Sequence, residues 1–217
     1  MQHIATLGML GTLSVLSACT GGGYTYGGYK VYDHFPLDGY RTWDYAQGDE
    51  SVEWQMAVEK DPNTSETDDY EIITLNYRVD DPETNLFAID WSSDSIKGVL
   101  IHGFVDYETG DSSDFDPPLV FGEYQMVPGA EVSTETGGRT WTSTFESVEE
   151  CPNHWVTTDE DTWECLKFTL DDGDGDDLSG PPFAGSWWIA PRYGTSRFIP
   201  TGYDDAWVLT KATWTSD

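Results

Sequence analysis

The chain alternates. In "SVEWQMAV", Val52, Trp54, Met56 and Val58 fall on one face, and Ser51, Glu53 and Gln55 on the other. In "EIITLNYRV", Ile73, Leu75, Tyr77 and Val79 share a face, with Glu71 at the edge. In "LKFTL", Leu166, Phe168 and Leu170 stand opposite Lys167 and Thr169. A period of two is the geometry of a half-buried strand, because successive side chains leave opposite sides of the backbone. "RTWDYA", "LFAIDW", "GVLIHGFV", "LVFGEYQMV", "TWTSTFESV", "SWWIA" and "WVLTKATW" are further strand candidates. Between them lie turn-forming clusters such as "DPNT", "DDPETN", "ETGDSSDFDPP" and "ETGG". No long stretch keeps a helical period without Gly, Pro or β-branched interruption. Short strands joined by polar turns predict an all-β, mostly antiparallel fold, either a β-sandwich or an incompletely closed β-barrel.

Composition narrows the function classes. Ten tryptophans and a hydrophobic share of 38% are too apolar for a disordered chain. The 217 residues suffice for one domain with a sizeable core. The formal net charge is -30, from 40 acidic and 10 basic side chains. No cluster of Lys and Arg interrupts this acidity. Such a surface repels phosphate backbones, so no nucleic-acid partner is expected. High charge of one sign serves solvation first.

The start of the chain carries the sharpest signal. An apolar run from Ile4 to Leu16 leads into Leu16-Ser17-Ala18-Cys19. The run is too short to span a bilayer and suits the core of a signal peptide. The four residues Leu16 to Cys19 resemble the lipobox of bacterial lipoproteins. That resemblance implies cleavage before Cys19, acylation of its thiol, and usually a third acyl chain on its amine. Two or three acyl chains anchor a protein stably where one does not. Thr20 stands where Asp would favour inner-membrane retention, so an outer-membrane destination is expected. The segment before the apolar run departs from the pattern, with His3 and no Lys or Arg. The expected organisation is therefore a signal peptide over 1–18, lipidated Cys19 with a Gly-rich tether over 19–30, and one β-rich domain over 31–217. Two cysteines then remain, Cys151 and Cys165. An even count in an exported domain favours a disulfide. The alternative is a metal site with His154, though the spacing fits no zinc pattern.

Catalytic signatures are sparse. The nucleophile elbow, the zinc-peptidase helix motif and phosphate-binding glycine loops do not occur. His34 and His154 lie near turns. His102 lies within "GVLIHGFV", on the expected face of Leu100 and Phe104, and has no evident catalytic partner. Carboxylate pairs able to hydrolyse glycosides arise by number alone among 40 acids. No catalytic residue is assigned, and no cofactor is expected beyond a candidate calcium ion. Its place is "DDGDGDD", where Asp172, Asp174 and Asp176 are the candidate ligands. An EF-hand from Asp172 would need Gly at 177 and Glu at 183, where Asp177 and Phe183 stand. A solvated acidic turn is the simpler reading. In "SWWIA", Trp187 and Trp188 must point to opposite faces of a strand. One enters the core. The other needs a second buried layer, or it offers a stacking platform to a ligand.

Three motifs in order resemble a group of uncharacterised bacterial envelope lipoproteins. "HFPLDGYRTWDY" resembles that group's "YFPL..G..W.Y" start. "FDPPLVFGEYQMVPG" with the following "RTW" resembles its middle. "WWIAPRYGTSRF" resembles its late "APGVGLVR"-like strand pair, departing at Tyr193 and Thr195. The resemblance implies an all-β protein held to the membrane by its N-terminal lipid, and implies no activity. The expected function is a non-enzymatic structural or interaction role in the bacterial envelope, with an unspecified protein or glycan partner. Alternatives are a glycan- or lipid-binding module, calcium-assisted, and a hydrolase using a carboxylate pair.

Overall fold

A computed structural model describes residues 27–35, 37, 40–47, 50–60, 73–79, 85–151, 164–173, 181 and 183–215. The expectation of an all-β antiparallel fold holds. Among the described residues twelve strands form one sheet in the order β7-β6-β5-β4-β3-β2-β14-β13-β12-β11-β10-β9. In chain order these are β2 (Tyr40–Gln47), β3 (Glu50–Lys60), β4 (Ile73–Val79), β5 (Asn85–Asp94), β6 (Gly98–Asp106) and β7 (Ser112–Gly122). They continue with β9 (Glu131–Thr136), β10 (Arg139–Glu150), β11 (Glu164–Asp171), β12 (Gly185–Ala190), β13 (Gly194–Pro200) and β14 (Trp207–Thr215). A small ribbon pairs β1 (Tyr29–Lys30) with β8 (Gln125–Met126). One 3₁₀ turn covers Val31–His34. Among the described residues pairing is thus already present at Gly28 and Tyr29, inside the stretch expected as tether.

The sheet is a meander folded over on itself. Every neighbour is consecutive in sequence except where the last strand, β14, pairs with β2. The aromatic core lies between the two halves. Trp91 of β5 meets Trp187 of β12 at 6.0 Å between ring centroids. Phe121 of β7 meets Phe168 of β11 at 5.1 Å. Phe87 of β5 meets Trp207 of β14 at 5.9 Å. Burying a Phe, Leu or Ile side chain contributes about 1.5–3 kcal/mol. Well-placed ring pairs add about 0.5–1.5 kcal/mol each. Interdigitated rings of this kind are what an alternating sequence rich in Trp and Phe can supply.

The fold does not close into a barrel, and the sequence at the seam shows why. Strand β7 contains Pro117 and Pro118, which have no N–H to give to a ladder. The Asp116–Pro117 bond is cis. Pairing with β6 skips from Ile101↔Leu119 to Gly103↔Asp114, so Phe115 to Pro118 leave the ladder. Such a strand belongs at an edge, and β7 is one edge of the sheet. The other edge, β9, lies against it without forming a ladder. A side chain takes the place of a backbone acceptor there: Val120 N–H donates to Thr134 Oγ1 at 3.2 Å. Ser143 Oγ likewise donates to the Phe121 carbonyl.

The expected faces hold on the strands whose side chains are described. Ile73, Leu75 and Tyr77 are buried together, as are Leu166, Phe168 and Leu170. Strand β6 differs. Leu100, His102 and Phe104 were expected on one face, but register shifts around His102 break the alternation. Val99, Ile101 and Phe104 reach the core, and Leu100 stays outside that cluster. The turn expected over "ETGDSSDFDPP" also ends early, because β7 already begins at Ser112.

Candidate functional site

The site-bearing region of the sequence is the outer face of β10–β13. The alternation of β12 sends Trp187 inward, where it is fully buried beside Trp91, Phe121 and Phe198. Its indole N–H donates to the Phe183 carbonyl at 3.1 Å. Trp188 therefore points outward, yet it is only 7% exposed. A second buried layer covers it, formed by Cys151, Cys165 and Ala190, with Tyr193 and Ile199 packed alongside.

The Cys151–Cys165 disulfide predicted from the cysteine count is present, with the two Cα atoms 4.9 Å apart. It clamps the ends of β10 and β11, and at this separation contributes about 3 kcal/mol on the chain-entropy account. His154, the alternative third ligand, lies outside the described residues. Cys165 Sγ lies 3.2 Å from Ser196 Oγ, which donates to the Trp188 carbonyl at 3.1 Å. The disulfide and the tryptophan thus share one neighbourhood.

Charges complete the cluster. Cross-strand register sets Lys167, Trp188 and Arg197 in one row across β11, β12 and β13. The Arg197 guanidinium lies 4.7 Å, and Lys167 Nζ 5.2 Å, from a centre of the Trp188 ring system. The Trp188 indole N–H donates to Glu149 Oε2 at 3.0 Å, and Ser147 Oγ donates to Glu149 Oε1 at 2.7 Å. Lys167 Nζ stands 3.8 Å from the same carboxylate. These donors, the indole first, hold the Glu149 carboxyl below its ordinary value against the opposing effect of burial. The result is a lock of one carboxylate, two cations and one indole across four strands. Both sulfurs are bonded to each other, so the lock contains no thiol nucleophile. Burial leaves neither Trp187 nor Trp188 a free face on which a sugar ring could stack.

The acidic stretch "DDGDGDD" is described only at its start. Asp172 is 4% exposed and takes a 2.7 Å bond from Arg139 Nη1. Its carboxylate already has a cation within the protein, and the segment begins by docking against the start of β10. Gly173 supports that docking: its φ is +78°, and a Cβ there would lie 2.8 Å from the Thr140 carbonyl oxygen. Asp174 and Asp176 lie outside the described residues. Among the described residues no group of three or more His, Cys, Asp or Glu side chains is gathered as metal ligands would be.

One pair resembles catalytic machinery more closely than the sequence suggested. Ser92 Oγ and His102 Nε2 are 2.8 Å apart, brought together by the irregular β5–β6 pairing. Thr74 Oγ1 of β4 donates to Asp90 Oδ1 of β5 at 2.6 Å. Ser92, however, has no exposed surface, so its hydroxyl cannot meet a substrate in this arrangement. His34 is tied to the fold as well, its Nδ1 lying 3.1 Å from the Lys30 carbonyl oxygen. Burial lowers its pKa, opposed by that bond.

The Lys167–Trp188–Arg197 row was not legible in the sequence. Only the doubled tryptophan pointed to it, through the need for a second buried layer. Comparison with protein-family models, curated proteins and solved structures finds no match for this chain. Lipidation at Cys19 and the signal peptide lie outside the described residues.

Proposed function

We propose that the chain is a lipoprotein of the bacterial envelope, lipid-anchored at Cys19, with a non-enzymatic structural or interaction role. The observation that carries this reading is the sequence Leu16-Ser17-Ala18-Cys19 placed directly after an apolar run of signal-peptide length. The disulfide supports it, because stable disulfides belong to oxidising compartments outside the cytosol. The resemblance to envelope lipoproteins supports it too, and Thr20 after the cysteine points to the outer membrane. The role is drawn as non-enzymatic because the described polar clusters serve the fold: Glu149, Lys167 and Arg197 hold Trp188, and Arg139 holds Asp172. Radiolabelled palmitate fed to expressing cells should enter the wild-type protein and not Cys19→Ser, with the wild type sedimenting in the membrane fraction. Equal labelling of both, or none in either, would refute the anchor.

A further inference from the structure

The chain enters the fold at one end of the sheet, and that end has its own chemistry. Tyr29 pairs with Met126, and Lys30 with Gln125. Tyr32 then stacks on Tyr124 at 5.7 Å, with Lys30 Nζ 5.9 Å from the Tyr32 ring. Ser93 Oγ, at the end of β5, donates to the Tyr32 carbonyl at 3.5 Å. The β5–β6 turn is pressed against residues 122–124, which lead into β8. Gly98 has φ +92°, and a Cβ there would lie 2.2 Å from the Gly122 carbonyl oxygen and 2.7 Å from Tyr124 N. Only glycine allows that approach. At the tip of this turn Ile96 is 85% exposed, followed by exposed Lys97. Directly after β8, Val127 is 50% exposed. Two aliphatic side chains, three half-buried tyrosines and two of the ten basic residues thus surround the point of entry.

We infer that this end of the sheet rests on the lipid surface, with Ile96 and Val127 in the headgroup layer and the tyrosines and lysines at its rim. The inference rests on acylation of Cys19. Seven residues lie between Cys19 and Gly27, eight chain steps with a reach of at most about 29 Å at ~3.6 Å per step. A domain of this size is about 40 Å across. The tether is therefore shorter than the body it holds, and the entry end is the end it draws to the bilayer. Tyrosine and lysine suit that boundary, since each joins an apolar stem to a polar tip. Exposed Asp33 and Glu123 flank the patch, so binding depends on the high local concentration that the covalent anchor supplies.

The test uses the full-length acylated chain in vesicles of phosphatidylethanolamine and phosphatidylglycerol. An environment-sensitive fluorophore is attached to Ile96→Cys in one protein and to Tyr203→Cys in another. Tyr203 is 59% exposed in the β13–β14 turn, at the opposite end of β13 from the turn whose Arg192 N–H reaches the Asp33 carbonyl. The label at 96 should shift to the blue and resist an aqueous quencher on vesicle addition, and the label at 203 should do neither. A label at Val127→Cys should behave like that at 96, and should lose its shift when Ile96→Asp is added. Equal quenching at 96 and 203, with palmitate still incorporated at Cys19, overturns the docking and leaves the anchor standing. Shielding of both labels also overturns it, pointing to contact between copies of the protein. Absence of palmitate overturns docking and anchor together.

Discussion

Trp187 and Trp188 are neighbours in sequence and opposites in setting. Trp187 sits among rings contributed by both halves of the folded sheet. Trp188 sits on the outside, under a disulfide and against two cations, with its N–H on a carboxylate. The first is held by apolar burial, which has no direction. The second is held by a few contacts, each with a required geometry. A sheet face turned to solvent can therefore bury a tryptophan without a second sheet, provided a short covalent and ionic frame covers it.

The contrast predicts unequal costs. Trp187→Ala should lose about 3–5 kcal/mol, the range for emptying a large aromatic site in a close-packed core. Trp188→Ala should lose about 1–3 kcal/mol, because water can refill the outer site and what goes is a small cluster with its cation–ring contacts. Urea denaturation of both variants measures the difference. Equal losses would mean that the outer layer is a second core rather than a frame.

Replacing Cys151 and Cys165 together by Ser should cost about 2–4 kcal/mol, and reductant should have the same effect on the wild type alone. The comparison sharpens in double variants. Adding Trp188→Ala to the cysteine replacements should cost less than the sum of the parts, because the two sites share Ser196 and the same buried layer. Adding Trp187→Ala should be additive. Strict additivity in both cases would separate the disulfide from the tryptophan it covers.

The same contrast marks how much the sequence disclosed. Inner faces were legible wherever a strand alternates cleanly, as in Ile73-Leu75-Tyr77 and Leu166-Phe168-Leu170. Strand β9 was not. Its "EVSTET" buries Thr134 and Thr136 rather than large apolar residues, so it shows no hydrophobic period, and its inward threonine works as a hydrogen-bond acceptor at the seam. Phe104, expected beside Leu100 and His102, turns to the core instead, because a bulge changes facing without changing composition. The disulfide could be read by counting. The Lys167–Trp188–Arg197 row could not, because cross-strand register joins residues some ten to thirty positions apart. The need for a cover over one tryptophan was visible, and the identity of the cover was not.

The smallest effect is expected at Glu149, and pH isolates it. The Trp188 indole N–H, the Ser147 hydroxyl and Lys167 all favour its ionised form, so the carboxyl lies below its ordinary 4.5 in the folded protein. Between the folded and unfolded values the unfolded chain binds more protons at this position. The stabilisation is therefore fully present above the unfolded value and is lost as pH falls through the folded one. Its size is modest, on the order of 0.5 kcal/mol, because the side chain is 42% exposed and water screens the contact. Acid titrates many of the 40 carboxylates at once, and relief of their mutual repulsion dominates the raw curve. Glu149→Gln shares that background and keeps an oxygen for the indole N–H. The stability difference between wild type and Glu149→Gln, measured by urea denaturation across pH, should be constant near neutrality and shrink below about pH 4.5. A difference independent of pH would show that Trp188 is held by cations and burial alone, with the carboxylate a bystander.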